Sequence, residues 1–381
     1  MLPRRILLRM PAARLTYCGN VHAADTLGAW LANLDTWVVP IAAGAARPFG
    51  LGVFWPQPVL DEIGGAGSEL ARVRAALAQR GLEVVTVNAF PVQEFHAQTV
   101  KQRVYAPDWA SEERVLYTRQ AAELAAALAR PGAEIAVSTL PLGFGQAELR
   151  LCARNLARAA SHLADLEART GVRIVLSLEP EPDCLLETVA ASVRFLEEWL
   201  FREGAWVTVP EATLRRHLGL CVDLCHLAVV REDPLAAARL CAERGIAVGK
   251  IQVSSCLELR DPAALDALLA YDEPRYLHQT RGGNGLRALD LAEVRARRAE
   301  FAAAGVLRTH FHLPVFFDAP GALGSTRAEL ERALRGWPRP LPLLEVETYT
   351  WSVLPEFAPG PAACIAGIRR ELEFVAALIS S

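Results

Sequence analysis

Acidic and imidazole side chains gather at the ends of short apolar runs in this sequence of 381 residues. Val175-Leu-Ser-Leu178 runs into Glu179-Pro-Glu181, and Leu220-Cys-Val222 into Asp223-Leu-Cys-His226. A third run carries Lys250-Ile-Gln252-Val-Ser254-Ser255, and later segments read His310-Phe-His312 and Leu344-Glu345-Val-Glu347. An Asp and a His three residues apart at a strand end offer an oxygen and an imidazole nitrogen, a mixture that Mn²⁺, Mg²⁺ or Zn²⁺ accepts. Glu179 and Glu347, from two other runs, would complete the sphere of one divalent metal. Strand alternation puts Glu345 and Glu347 on one face, and the residue nearer the tip is the better ligand candidate. Glu179 is favoured over Glu181, which lies between prolines beyond its run. Each residue also has a bland reading: a strand-end Glu often pairs with an Arg, and His226 would also serve as a hydrogen-bonded neighbour of the site. The coincidence of several such residues at successive tips favours a metal site.

The chemistry that suits this set is proton transfer beside a carbonyl. A metal would polarise the carbonyl and an adjacent hydroxyl, and Glu179 and Glu347 are candidate general bases. Lys250 is a further candidate acid, unless it pairs with a buried carboxylate. The long segment after Phe90 offers His96, Arg103 and Trp109 as substrate contacts, with Lys101 and Tyr105 beside them. His22 and Arg281, the latter in the Gly-rich stretch 279–287, join that list. Together these would suit an anionic or aromatic polar ligand larger than a free sugar.

Such tips need a sheet to present them. Strand-like runs fall at 15–22, 49–55, 83–91, 134–142, 173–181, 217–226, 248–255, 307–316 and 343–350. Amphipathic helical patterns separate them, at 67–80, 111–129, 145–169, 186–202, 234–244, 289–304 and 326–335. Continuous apolar runs such as Ile174-Val-Leu176 suit strands buried on both faces, and strict β/α alternation suits a parallel sheet. About eight such units predict an α/β fold, a closed (β/α)₈ TIM barrel, as one domain over 1–381 with a short N-terminal extension, 1–14. With one strand candidate too many, 343–350 is taken to close the barrel and 256–342 to be an elaborated excursion before it; the reverse assignment is also open. An open doubly wound sheet is the runner-up, weakened because no GxGxxG follows the first run.

Composition sets bounds on partners. Hydrophobic residues make up 52% and charged residues 22%, which excludes disorder, and a net charge of −3 with no basic block gives no footprint for nucleic acid. The eight cysteines show no CxxC pair and read as reduced, buried side chains. The basic N-terminus lacks an apolar signal core, and no stretch is long and apolar enough for a membrane span, so a cytoplasmic location is expected.

At these residues the sequence resembles the xylose-isomerase-like barrel superfamily of sugar isomerases, ketose 3-epimerases and endonuclease IV-type nucleases. The resemblance implies one divalent metal held at Glu179, Asp223, Gln252 and Glu347, with His226 as ligand or neighbour. Gln252 departs from the pattern, since the superfamily usually places a histidine there; His278 or His312 would then substitute. A resemblance to the EboE family of metabolite traffic proteins spans essentially the whole chain. It rests on Leu15-Thr-Tyr-Cys-Gly-Asn-Val-His22, Phe49-Gly-Leu-Gly52, Asn88-Ala-Phe-Pro91, Val104-Tyr-Ala-Pro-Asp-Trp109, Ser138-Thr-Leu-Pro-Leu-Gly143, Thr309-His-Phe-His-Leu-Pro314 and Glu345-Val-Glu-Thr-Tyr-Thr-Trp351. That family implies a secondary-metabolite processing or export setting, with other Ebo cluster proteins as partners. The expected activity is a metal-dependent isomerase or epimerase acting on a small carbonyl/hydroxyl metabolite. The alternative is a non-catalytic carrier holding a metabolite in the same pocket; a nuclease would need more histidines and a basic face.

Overall fold

The computed structural model describes residues 15–65, 67–93, 99–201, 208–317, 321–352, 354 and 360–380. Seven strands follow one another before the excursion: β1 (Leu15–Tyr17), β2 (Phe49–Phe54), β3 (Leu82–Asn88), β4 (Glu134–Thr139), β5 (Arg173–Leu178), β6 (Leu218–Asp223) and β7 (Ala247–Val253). Their apolar runs are buried along nearly their whole length, as in β2, β6 and most of β5, which is what strands covered on both faces require. Helices cover the outside. The longest between strands, Leu149–Thr170, turns Cys152, Leu156, Leu163 and Leu166 inward and stops at Gly171, whose φ of 69° is the left-handed cap that glycine adopts without strain.

The chain then leaves the barrel. β8 (Ser255–Leu259), β9 (Thr280–Arg281), β10 (Arg287–Ala288), β11 (Leu307–Leu313) and β12 (Leu323–Ser325) form a separate antiparallel sheet in the order β10-β9-β11-β8-β12. This sheet has an apolar cluster of its own, built on Leu257, Leu259, Leu268, Leu291, Phe301, Leu307, Phe311 and Leu313. The strand-like run 307–316 therefore lies outside the barrel, and β13 (Leu343–Val346) closes it, pairing with β7 on one side and β1 on the other.

Closure between β1 and β2 rests on a single backbone bridge and a side-chain link. A parallel bridge joins Cys18 to Gly52, and the Thr16 hydroxyl donates to the Gly50 carbonyl at 2.8 Å while accepting from the Gly52 N–H at 3.1 Å. A Cβ on Gly52 would lie 1.8 Å from Glu345 Oε1 and 2.7 Å from the Tyr17 carbonyl, so only glycine fits where the seam meets the barrel interior. Two boundaries differ from expectation. The run 217–226 splits into β6 and a helix, Leu224–Val230, because the Asp223 side chain accepts from the His226 N–H and caps that helix. The final helix, Pro361–Ser380, lies beyond the last helical pattern expected from sequence. Among the described residues no helix is long and apolar enough to cross a membrane.

Candidate metal centre and active site

Three strand tips bring carboxylates together. Glu179 follows β5, Asp223 ends β6 and Glu347 follows β13, and one oxygen from each lies within 4.8 Å of the others. All three are buried. Asp223 Oδ1 is occupied by the His226 N–H (2.9 Å) and the Ser254 hydroxyl (2.8 Å), and Glu347 Oε1 by the amides of Asn20 (2.7 Å) and Asn88 (3.0 Å). Glu179 Oε2 and Asp223 Oδ2 have no hydrogen-bond partner. Burial, reinforced by Asp223, pushes the Glu179 carboxyl up to about 8, and burial with Glu179 nearby pushes Glu347 well above the usual range. Converging buried carboxylates with vacant oxygens need either protons or a cation. The donor set, hard oxygens around one point, fits a divalent ion.

Imidazoles flank the carboxylates. β11 alternates, so that Leu307, Phe311 and Leu313 join the apolar cluster of their own sheet while His310 and His312 take the other face. His226 Nδ1 faces the Pro180 carbonyl (2.9 Å), His310 Nδ1 the Gln279 Oε1 (2.8 Å), and His312 Nδ1 the Glu347 carbonyl (2.9 Å). These acceptors hold the proton on Nδ1 of each neutral ring and leave Nε2 as the donor atom for a metal. His312 Nε2 lies 3.2 Å from His310 Nε2 and 3.9 Å from Asp223 Oδ2. Ligand atoms of Asp223, His226 and His312 fall within 4.8 Å of one another, as do those of Glu181, His226 and His310. Burial lowers His226 to about 4 and His310 well below the usual histidine range, which keeps these rings neutral.

The family described as the xylose isomerase-like TIM barrel matches residues 50–256, more than half of the chain. The chain belongs to that family. Among solved structures it is similar to the IolI protein, described with a bound zinc atom, at 11% identity and a TM-score of 0.51, covering 96% of this chain and 98% of that one. It is similar also to an L-ribulose 3-epimerase, at 15% identity and the same TM-score of 0.51, covering 97% and 95%. These likenesses show a fold of the isomerase/epimerase kind. No curated protein sequence matches the chain.

Within this barrel the remaining residues singled out from sequence are placed unevenly. Gln252 is wholly buried in register between Asp223 and Glu345, and neither amide atom has a partner. Lys250 is also wholly buried and bound to Glu345 Oε2 at 2.5 Å. Burial alone would lower the lysine, but Glu345 overrides it and holds the ammonium above its usual range. Lys250 is thus an internal counter-charge beneath the carboxylates, not a free acid. His278 is corrected as a ligand: its ring is stacked on Phe311 at 4.6 Å, with Nδ1 at the His310 carbonyl and Nε2 at Glu273 Oε1, both 3.0 Å.

The substrate contacts expected from loop composition also need correction. A pocket opens above Glu179, Glu347, His226 and His312, and its lining includes none of His22, Arg103, Trp109 or Arg281. His22 stacks on Trp37 at 4.6 Å, and Arg103 turns back to the Thr99 carbonyl. Trp109 is wholly buried, with its indole N–H on Thr139 Oγ1, and Arg281 is held by Asp183 and Glu187 at 2.8 Å each. His96 lies outside the described residues.

Glu181, weighed below Glu179 in the sequence, also lines the site, and Gln279 and Glu371 support it from outside the lining. Glu181 accepts from the Tyr105 hydroxyl at 2.6 Å, and burial pushes its carboxyl up to about 8. Gln279 ties Tyr105 to His310. From the last helix, Glu371 accepts from Thr348 Oγ1 (2.7 Å) and the Val315 N–H (3.1 Å), clamping the segments that follow Glu347 and His312. The His-Phe-His alternation marked His310 beside His312 in the sequence; Glu371 had no such signal.

Proposed function

We propose that the protein is a divalent-cation-dependent isomerase or epimerase acting on a small metabolite with adjacent carbonyl and hydroxyl groups, in an Ebo-type processing or transport pathway. The observation that carries this reading is the buried convergence of Glu179, Asp223 and Glu347, with oxygens of Glu179 and Asp223 left unpartnered. One cation of Mn²⁺, Mg²⁺ or Zn²⁺ type fits that cradle, with His312 or His226 as the nitrogen donor and Gln252 as a neutral oxygen donor. Bound there, it would supply Lewis-acid polarisation of a carbonyl and its neighbouring hydroxyl. Glu179 and Glu347 follow different strands, β5 and β13, with β6 and β7 between them. Each is therefore positioned to take a proton from one face of the same carbon. Asn20 and Asn88 orient Glu347 by binding a single oxygen, Oε1. The IolI protein's bound zinc and the 3-epimerase activity of the ribulose epimerase support the reading by fold analogy.

Elemental analysis of the purified protein is expected to find about one divalent metal per chain, by the donor count of one mixed O/N site. No metal, and no stabilisation on adding Mn²⁺, Mg²⁺ or Zn²⁺, would count against the cation. In D₂O, wild-type protein is expected to move solvent deuterium into a bound substrate, and Glu179→Gln or Glu347→Gln to abolish that exchange, because an amide accepts no proton at neutral pH. Binding without exchange by the wild type would assign the pocket to a carrier instead.

A further inference from the structure

The pocket above the metal cradle has a division that the reaction alone does not require. Its floor is polar: Glu179, Glu181, Glu347 and the three imidazoles. Its walls are apolar, formed by Phe90, Val100, Val104, Tyr276, Leu277 and Tyr349. The aromatic walls brace one another, with Tyr276 edge-on to Tyr349 at 4.8 Å and Phe90 edge-on to Tyr105 at 6.0 Å. Two polar groups of the wall are committed inward. The Tyr105 hydroxyl donates to Glu181 and accepts from Gln279, and Asn88 spends its amide on Glu347 and its oxygen on the Phe90 N–H.

Positive charge is equally committed. Lys101 is the one cation among the described lining residues, and its Nζ is bound to Asp290 Oδ2 at 2.5 Å and to the Glu273 carbonyl at 3.3 Å. Arg281, in the Gly-rich stretch, is neutralised by Asp183 and Glu187 away from the pocket. A polyhydroxylated sugar would find few hydrogen-bonding partners above the floor, and each desolvated hydroxyl left unpaired costs roughly 1–3 kcal/mol. A phosphate group would meet acidic side chains with no free cation to receive it.

We infer that the substrate is an uncharged α-hydroxy ketone or aldehyde whose remaining part is apolar, aryl or alkyl, and that sugars and sugar phosphates are excluded. Resting on the isomerase reading, this inference names the substrate class of the same site. The hydroxy-carbonyl end reaches the floor, and the apolar part lies among Phe90, Val104, Tyr276 and Tyr349.

The test is calorimetric binding to the full-length protein, with and without added Mn²⁺, using four probes: 2-hydroxyacetophenone, 1-hydroxy-2-octanone, D-ribulose and D-ribulose 5-phosphate. At least one apolar ketol is expected to bind about tenfold or more tightly than D-ribulose, a difference of ~1.4 kcal/mol, and the phosphate most weakly. Equal or tighter binding of D-ribulose or its phosphate overturns the inference, as does failure of both apolar ketols. Val104→Asn, at the half-buried wall, is expected to weaken the apolar ketols about tenfold while leaving metal content unchanged; Val104→Ala makes the same comparison if the amide disturbs folding. Deuterium exchange is read separately. Apolar ketol bound without exchange removes the isomerase reading and leaves the substrate class standing, whereas D-ribulose bound and exchanged does the reverse.

Discussion

The two sheets contribute to the site in opposite currencies. The barrel tips supply negative charge: Glu179, Asp223 and Glu347 are carboxylates placed by parallel register at the mouth. The antiparallel excursion supplies neutral nitrogen: His310 and His312 arrive on β11, which touches no barrel strand in its hydrogen-bond ladder. Beside the carboxylates, three links join the halves directly. His312 Nδ1 binds the Glu347 carbonyl, Asp223 Oδ2 faces His312 Nε2, and Thr350 Oγ1 reaches the His312 carbonyl. A barrel interior can hold a charge cluster only with internal compensation, and here Lys250 provides one positive charge from below. The excursion pays no such cost, because its rings are buried neutral and hydrogen-bonded on one nitrogen each. An insertion can therefore add metal donors to a barrel without adding to its charge problem.

The largest expected effect lies in the barrel half. Lys250→Met should destabilise the protein by about 3–5 kcal/mol, because it leaves Glu345 buried beside the cluster with no counter-charge. Adding Glu345→Leu should recover most of that loss, since removing both charges spares their desolvation. Urea denaturation of the two variants checks this. A Lys250→Met cost under about 1 kcal/mol, the value of an exposed pair, would mean that the interior is wetter than the packing indicates.

Asp223 and His312 separate the halves directly. Asp223 belongs to the carboxylate grouping and also to the one with His226 and His312, so Asp223→Ala should lower cation affinity by about 100-fold, ~2.7 kcal/mol. His312→Ala, which removes one donor and the hold on the Glu347 backbone, should cost about tenfold. Competition titration with a chelating dye measures both. A larger loss for His312→Ala than for Asp223→Ala would move the cation out of the carboxylates and into the imidazole half.

The difference between the sheets also governs what was legible in sequence. Barrel strands buried on both faces write themselves as apolar runs, so eight strands and the acidic tips at Glu179, Asp223 and Glu347 could be read directly. Alternation put Glu345 and Glu347 on one face, and nearness to the tip separated Glu345, paired with Lys250, from Glu347 at the mouth. The excursion was not legible in this way. Its strand pairings join residues such as Thr280 and Thr309 across an antiparallel ladder whose partners no local pattern declares. Charges and rings in loops misled for a related reason. Arg281 and Trp109 have the right chemistry for a ligand, yet Asp183, Glu187 and Thr139, distant in sequence, had already claimed them. Glu181 was discounted for its flanking prolines, but the Pro180 carbonyl is what orients His226, and Glu181 itself receives Tyr105.

The smallest effect, and the sharpest on the boundary between the halves, is expected at Gln252. Its side chain is wholly buried, with both amide atoms unpartnered, in register beside Asp223. Leaving buried polar atoms unsatisfied costs about 1–3 kcal/mol, and Leu has a similar volume without them. In metal-free protein Gln252→Leu should therefore raise stability by about 1 kcal/mol. With cation present the balance reverses if the amide oxygen is a ligand, because the leucine then removes a donor and the added stability from metal shrinks. Melting curves of both proteins with chelator and with Mn²⁺ give the four values needed. Equal metal stabilisation in wild type and variant would place Gln252 outside the sphere, leaving the imidazoles of the excursion to supply what the barrel strand lacks. A smaller metal stabilisation in the variant would make the amide the barrel's own neutral donor and reduce the share that His312 must carry.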